Sequence, residues 1–268
     1  MIVNVHWETT YRYSDPVALL HTELCILPTD RPGGQRVLES TLTLEPKARP
    51  TALVDVFGNT MHHVDFLQPV ERLHVAVHAK VETSPWAEPT PPLSPLLDRL
   101  YRQPSGRAPF DPSLDRLMAD VPAGADPLTM ARALNQSLGQ EFEFVVGATE
   151  VSTTALDFVA TGSGVCQDFA HLMLALLRRR GAAARYVSGY LAASEGYTLA
   201  DASHAWVQVL ADGAWYGFDP ANGIPQDERY VVVATGRDYD DVPPLRGTYH
   251  GQAEEQWSTS VRIGVNGQ

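Results

Sequence analysis

The segment Ser84-Pro85-Trp86-Ala87-Glu88-Pro89-Thr90-Pro91-Pro92-Leu93-Ser94-Pro95 constrains this chain more than any other stretch. Its prolines remove backbone donors and fix φ, so neither a helix interior nor a central strand can run through it. It separates a region patterned as strands from one that mixes helix and strand, and it is the expected interdomain connector. The implied division is an N-terminal β domain at 1–84, a proline-rich connector at 85–112, a core at 113–250 and a closing strand at 251–268.

Before the connector, residues 6–13, 37–44 and 73–81 alternate apolar and polar with period two. Ser14-Asp15-Pro16, Arg31-Pro32-Gly33-Gly34 and Phe57-Gly58-Asn59 supply turns between them. Short strands with regular turns predict a small β-sandwich-like domain. After the connector, helices are expected over 93–102 and 127–138, the second opened by Asp126 as N-cap and Pro127 at the first helical position. Residues 257–265 carry apolar side chains mostly at odd positions and predict a last strand laid on one of the sheets. The fold class is therefore α+β.

With 268 residues and 44% hydrophobic content, the chain can bury a sizeable core. Its net charge of -12 argues against general affinity for nucleic acid or an anionic membrane. The one dense basic run, Arg178-Arg179-Arg180, ends a predicted helix, where cations complement the dipole. Met1 leads straight into the strand-like Ile2-Val3-Asn4-Val5 without a signal pattern, and the apolar run 172–177 is too short to span a bilayer. Cys25 and Cys166 do not make a disulfide framework. A reduced, cytoplasmic protein is expected.

The chemistry concentrates in the second half. In Gly162-Ser163-Gly164-Val165-Cys166-Gln167-Asp168-Phe169, small residues permit a sharp approach, and then Phe169, Leu172, Met173, Leu176 and Leu177 recur at helical spacing. Cys166 thus opens a buried helix, where free N–H groups favour thiolate over thiol and can bind a developing oxyanion. Cys25, flanked by Leu24 and Ile26, reads as core. Further on, Asp212-Gly213 between two alternating runs signals a hairpin. If these two form the turn, Ala211 pairs with Ala214, and Asp219 falls opposite Trp206, one diagonal step from His204 and on its face. A three-residue turn would put His204 and Asp219 on opposite faces. A thiol nucleophile needs a proton acceptor, and the acceptor needs an orienting group. Cys166, His204 and Asp219 supply those roles.

The segments 164–171, 184–190 and 204–207, followed by Phe218-Asp219-Pro220-Ala221-Asn222, together resemble the bacterial transglutaminase-like family. So do Tyr11-Arg12-Tyr13, Leu27-Pro28, Gln35 and residues 55–59 in the first domain, and 236–247 near the end. The resemblance implies a papain-like transglutaminase core, a helix carrying the cysteine packed on antiparallel sheet, with Cys166, His204 and Asp219 as the catalytic three. It also implies acyl transfer through a thioester. The donor would be a glutamine carboxamide or peptide bond in a peptide or protein, and the acceptor a small amine or water. Peptide hydrolysis is the rival activity, and a non-catalytic partner-binding module a more distant one. Gln167, Trp206, Asp238 and Tyr239 are the expected substrate contacts. No cofactor is expected. No metal is expected either, because His62 and His63 point to opposite sides of a strand and lack nearby ligands.

Overall fold

The computed structural model describes residues 1–85, 87–119, 121–192 and 203–265. Trp86 of the proline segment and residues 266–268 of the expected last strand lie outside the described residues. The first strand, β1 (Ile2–Leu24), carries the N-terminal domain. Val3, Val5, Trp7 and Thr9 are buried at its odd positions, and Leu20, Thr22 and Leu24 at its even ones. This change of phase coincides with Leu19 at φ 51° and with register breaks between Arg12 and Val17 and between Ala18 and His21. An extra residue in a strand swaps the faces its side chains occupy. Ser14-Asp15-Pro16, expected as a turn, is instead this irregular stretch of one continuous strand, a position where proline sacrifices no ladder bond.

Around β1 lie β2 (Gln35–Glu45), β3 (Thr51–Val54), β4 (Thr60–Phe66) and β5 (Val70–Thr83). β5, with β2 outside it, pairs with the first half of β1; β4, with β3 outside it, pairs with the second half. The N-terminal domain is thus one antiparallel sheet whose two halves share a strand.

The proline segment is fastened rather than free. Within it β6 (Glu88–Pro89) pairs with Trp215 and Ala214. Glu88 is buried, accepts from Arg185 at 2.6 Å and lies 3.6 Å from Arg31. A buried carboxylate persists only when paired in this way. Then α1 (Pro95–Arg102) starts on the Ser94 side chain, and α2 (Pro127–Glu141) on Asp126, which accepts the N–H groups of Leu128 and Thr129. Next come β7 (Glu143–Phe144), α3 (Ala155–Thr161), β8 (Ser163–Gly164) and α4 (Cys166–Arg179). Every residue of α4 from Gln167 to Arg178 is buried, as befits a helix packed on all sides.

One side of α4 lies on a second antiparallel sheet. Its strands are β9 (Ala184–Leu191), β10 (His204–Ala211), β11 (Ala214–Asp219), β12 (Ile224–Pro225) and β13 (Tyr230–Gly236), in the order β12-β11-β10-β9-β13. Finally β14 (Leu245–His250) and β15 (Glu255–Val265) return to the two halves of β1. Residues 245–250, grouped with the core on sequence, therefore complete the first sheet, because β1 offers a free edge along its length. No helix among the described residues is long and apolar enough to cross a membrane.

β13 is the outer strand of its sheet, and its backbone is closed off by two side-chain amides of the first domain. Gln35 donates from Nε2 to the Val232 carbonyl at 2.7 Å and accepts the Val232 N–H at 2.8 Å. Asn59 does the same for Thr235, at 2.7 and 2.8 Å. Both amides are buried. Each stands in for a strand that is absent, which buried backbone groups require. Asn59→Ala and Gln35→Ala should each cost about 1–3 kcal/mol by stranding a buried N–H and carbonyl. Urea unfolding measures this, and a loss within error of zero for both would show that the amides do not hold the strand.

Candidate active site

Cys166 is the first residue of α4, so its N–H lies outside the helix's own ladder. The approach to it is tight. A Cβ on Gly164 would stand 2.6 Å from the Asp168 carboxylate and 2.8 Å from the Phe158 ring. Asp168 accepts the Val165 N–H at 2.8 Å and the Thr149 hydroxyl at 2.6 Å, clasping the start of the helix. Burial nevertheless holds its pKa above the ordinary carboxylate value. Cys166 is half-buried, whereas Cys25 is buried, and burial aided by Asp55 pushes its thiol up to about 12.

The hairpin between β10 and β11 has the two-residue register. Asp212 and Gly213 sit at φ 48° and 75°, the left-handed pair of a type I′ turn, and Ala211 faces Ala214. Asp219 then follows Phe218, the partner of Val207, on the face of His204. His204 Nε2 lies 2.6 Å from Asp219 Oδ2. The Cys166 sulfur lies beside the same imidazole, close enough to act on its charge. Helix start, strand and hairpin partner thus meet at one imidazole.

Asp219 is fully buried, and its carboxylate has five donors. Oδ2 takes His204, the Tyr230 hydroxyl at 2.8 Å and the Asn222 amide at 2.7 Å. Oδ1 takes the backbone N–H groups of Ala221 and Asn222 at 3.1 and 3.3 Å. Burial favours the neutral acid, but the His204 charge and these bonds together hold the pKa below the ordinary value. For His204 burial likewise opposes charge; the Asp219 carboxylate and the Cys166 sulfur outweigh it and raise the pKa to about 10. The site therefore favours a charged imidazolium paired with the Asp219 carboxylate.

Aromatic rings fix that imidazole in place. Trp206 stacks beside it with centroids 6.0 Å apart, and Tyr230 lies 6.1 Å from His204 and 5.1 Å from Trp206. The Trp206 indole donates to Gln226 at 2.8 Å. Gly189, the register partner of His204, makes room: a Cβ there would stand 2.6 Å from the Trp206 ring and 2.1 Å from the Val231 carbonyl. Tyr230 and Gln226 escape sequence reasoning, since each reaches the site from a separate segment without local pattern. Asn222 lies within the family-like motif, and only the fold gives it a role, as a donor to Asp219.

The remaining expected contacts have other engagements. Gln167 is buried and donates to the Val151 carbonyl at 3.1 Å. Trp206 is fully buried against His204. Asp238 is buried, accepting the N–H groups of Arg107 and Asp240. Tyr239 is partly buried, and its N–H donates to His171 Nε2 at 3.2 Å. His171 is buried in α4 and stacks on Tyr186. Burial, with Arg107 and Arg178 nearby, pushes its pKa down to about 3, so it is neutral and ties the 239–241 turn to the cysteine helix.

Two family models match the chain: the bacterial transglutaminase-like N-terminal region over residues 3–82, and the transglutaminase-like superfamily core over 116–220. An uncharacterised protein of Mycobacterium leprae is 30% identical, with 95% of each chain covered. Another, from Mycobacterium tuberculosis, is 32% identical over 92% of this chain and 87% of its own. The solved structure of a candidate cysteine protease from Cytophaga hutchinsonii shares the fold, with TM-score 0.80 and 21% identity over 98% of this chain and 90% of that one. Both the matched regions and the full-length relatives make this chain a member of the bacterial transglutaminase-like family.

Proposed function

We propose that this protein is a cysteine-dependent acyl-transfer enzyme acting on an amide of a peptide or protein, with Cys166, His204 and Asp219 as its catalytic triad. The observation that carries this is a single imidazole set between the sulfur of half-buried Cys166 and a buried carboxylate to which it is hydrogen-bonded. Thiolate Cys166 adds to the amide carbonyl, and the oxyanion takes the free N–H of Cys166. As the C–N bond breaks, imidazolium His204 gives its proton to the leaving amine, and a thioester remains on the sulfur. The now neutral His204 removes a proton from the incoming amine or water, which attacks the thioester and releases the thiolate. Asp219 holds the ring orientation throughout, itself held by Tyr230 and Asn222. Of the four residues expected to meet substrate, Tyr239 keeps the most exposed position and is the one we assign to the acceptor side.

The acceptor is a small amine or water, and hydrolysis of a peptide is the second reading of the same half-reaction. Incubation with a glutamine-containing peptide library, with and without a labelled amine, separates them by mass spectrometry. Amine-dependent product supports transfer, cleavage without amine supports a peptidase, and an enzyme that never carries an acyl group on Cys166 overturns both. His204→Ala should lower turnover by about 100- to 10,000-fold, the usual contribution of a positioned acid–base group. In the native protein at about pH 6, iodoacetamide should modify Cys166 and spare Cys25, since only thiolate reacts. Equal sluggishness of the two would point to a binding protein.

The raised pKa of His204 has a stability consequence. Protonation is favoured in the folded state, so the contribution is fully present below the ordinary 6.5 and fades as pH rises towards about 10. The stability difference between the wild type and His204→Gln should shrink across that window. A difference that stays constant would mean that His204 is not charged in the folded protein.

A further inference from the structure

We propose that His21, Glu23 and His63 form a binding site for one divalent transition-metal ion, of the zinc type, on the β1–β4 ladder. It lies in the first domain and does not depend on the catalytic reading above. In that ladder His21 faces Asp65, Thr22 faces Val64 and Glu23 faces His63. Alternation therefore puts His21, Glu23, Asp65 and His63 together on the face opposite buried Thr22 and Val64. His62 pairs with Leu24 and points to the other side, as strand geometry requires. The sequence alone offered one usable imidazole here. Strand pairing supplies a second imidazole and a carboxylate from β1.

The ligand atoms converge. Glu23 Oε1 stands 3.8 Å from both His21 Nε2 and His63 Nδ1, and the three ligand atoms all lie within 4.8 Å of one another. A tetrahedral ion with bonds of about 2.0–2.1 Å holds its ligands roughly 3.4 Å apart, so small rotations of these partly exposed side chains complete the geometry. Two imidazoles and a carboxylate suit zinc, with the fourth position open to water. Asp65 supplies the outer support such sites use: its Oδ1 lies 2.8 Å from His21 Nδ1. In the neutral ring that bond places the proton on Nδ1, and Nε2, which faces Glu23, carries the lone pair a metal needs. Arg246 occupies only the second oxygen of Glu23, donating from Nε at 2.9 Å to Oε2. Two carboxylates against one guanidinium leave the patch with net negative charge. A bound ion would cross-link β1 to β4.

The test is zinc titration of the full chain carrying Cys166→Ser, which removes the thiol–imidazole pair as a competing ligand, against a chromophoric chelator. One equivalent should bind. His21→Ala and His63→Ala should each weaken it at least tenfold, and Asp65→Asn about tenfold. His62→Ala should leave it unchanged. Imidazole NMR signals of His21 and His63, but not His62, should shift on adding zinc, which reads the site without relying on any variant's folding. No zinc binding by the parent protein, or undiminished binding by His63→Ala, would overturn the proposal.

Discussion

A carboxylate with no solvent exposure is the constraint on which the rest of this structure turns. Asp219 cannot stay charged in the interior unless several donors replace the water it has lost. Those donors come from different places: His204 from the neighbouring strand, Tyr230 from the far edge of the sheet, and Ala221 and Asn222 from the turn that follows. Their agreement on one carboxylate fixes the hairpin register, the path of β13 and the orientation of the imidazole at once. Losing any of them leaves part of a buried charge uncompensated, which is why such sites are built redundantly.

The β domain enters the site through this chain of support. Gln35 and Asn59 hold the backbone of β13 at Val232 and Thr235, on either side of its register shift against β9. β13 begins with Tyr230, whose hydroxyl reaches Asp219. Glu88, from the proline segment, joins Arg31 of the first domain to Arg185 of β9. The two sheets are thus bound by buried polar groups that specify one arrangement. On the other side of α4, neutral His171 accepts the Tyr239 N–H, while buried Arg178 donates to the carbonyls of Ala184 and Arg237. Arg178 and Arg179, which look like a basic patch in the sequence, are spent inside the fold and on Asp115.

Several local features of the chain follow from short-range rules. Asp212-Gly213 dictates a two-residue turn, and that turn sets the register placing Asp219 beside His204. Ser94 and Asp126 announce the starts of α1 and α2 by capping. Cys166 falls at a helix start because small residues precede an apolar helical repeat. Where the fold departs from the local pattern, long-range pairing is the cause. Ser14-Asp15-Pro16 has turn composition, yet a strand paired on both edges carries straight through it as an irregularity. β14 has no local mark of the sheet it joins, since only the free edge of β1 decides that.

By itself, then, the sequence determined the helix bearing Cys166, the hairpin joining His204 to Asp219 and the β character of the first domain, because caps, turns and periodicity act within a few residues. Only the tertiary structure decided that Tyr230 and Asn222 complete the carboxylate's shell and that Gln35 and Asn59 clamp β13. It also brought His21 and Glu23 to His63. Each of these depends on strands or segments meeting across long stretches of chain, and hydrogen bonds of that range leave no periodic trace among neighbouring residues.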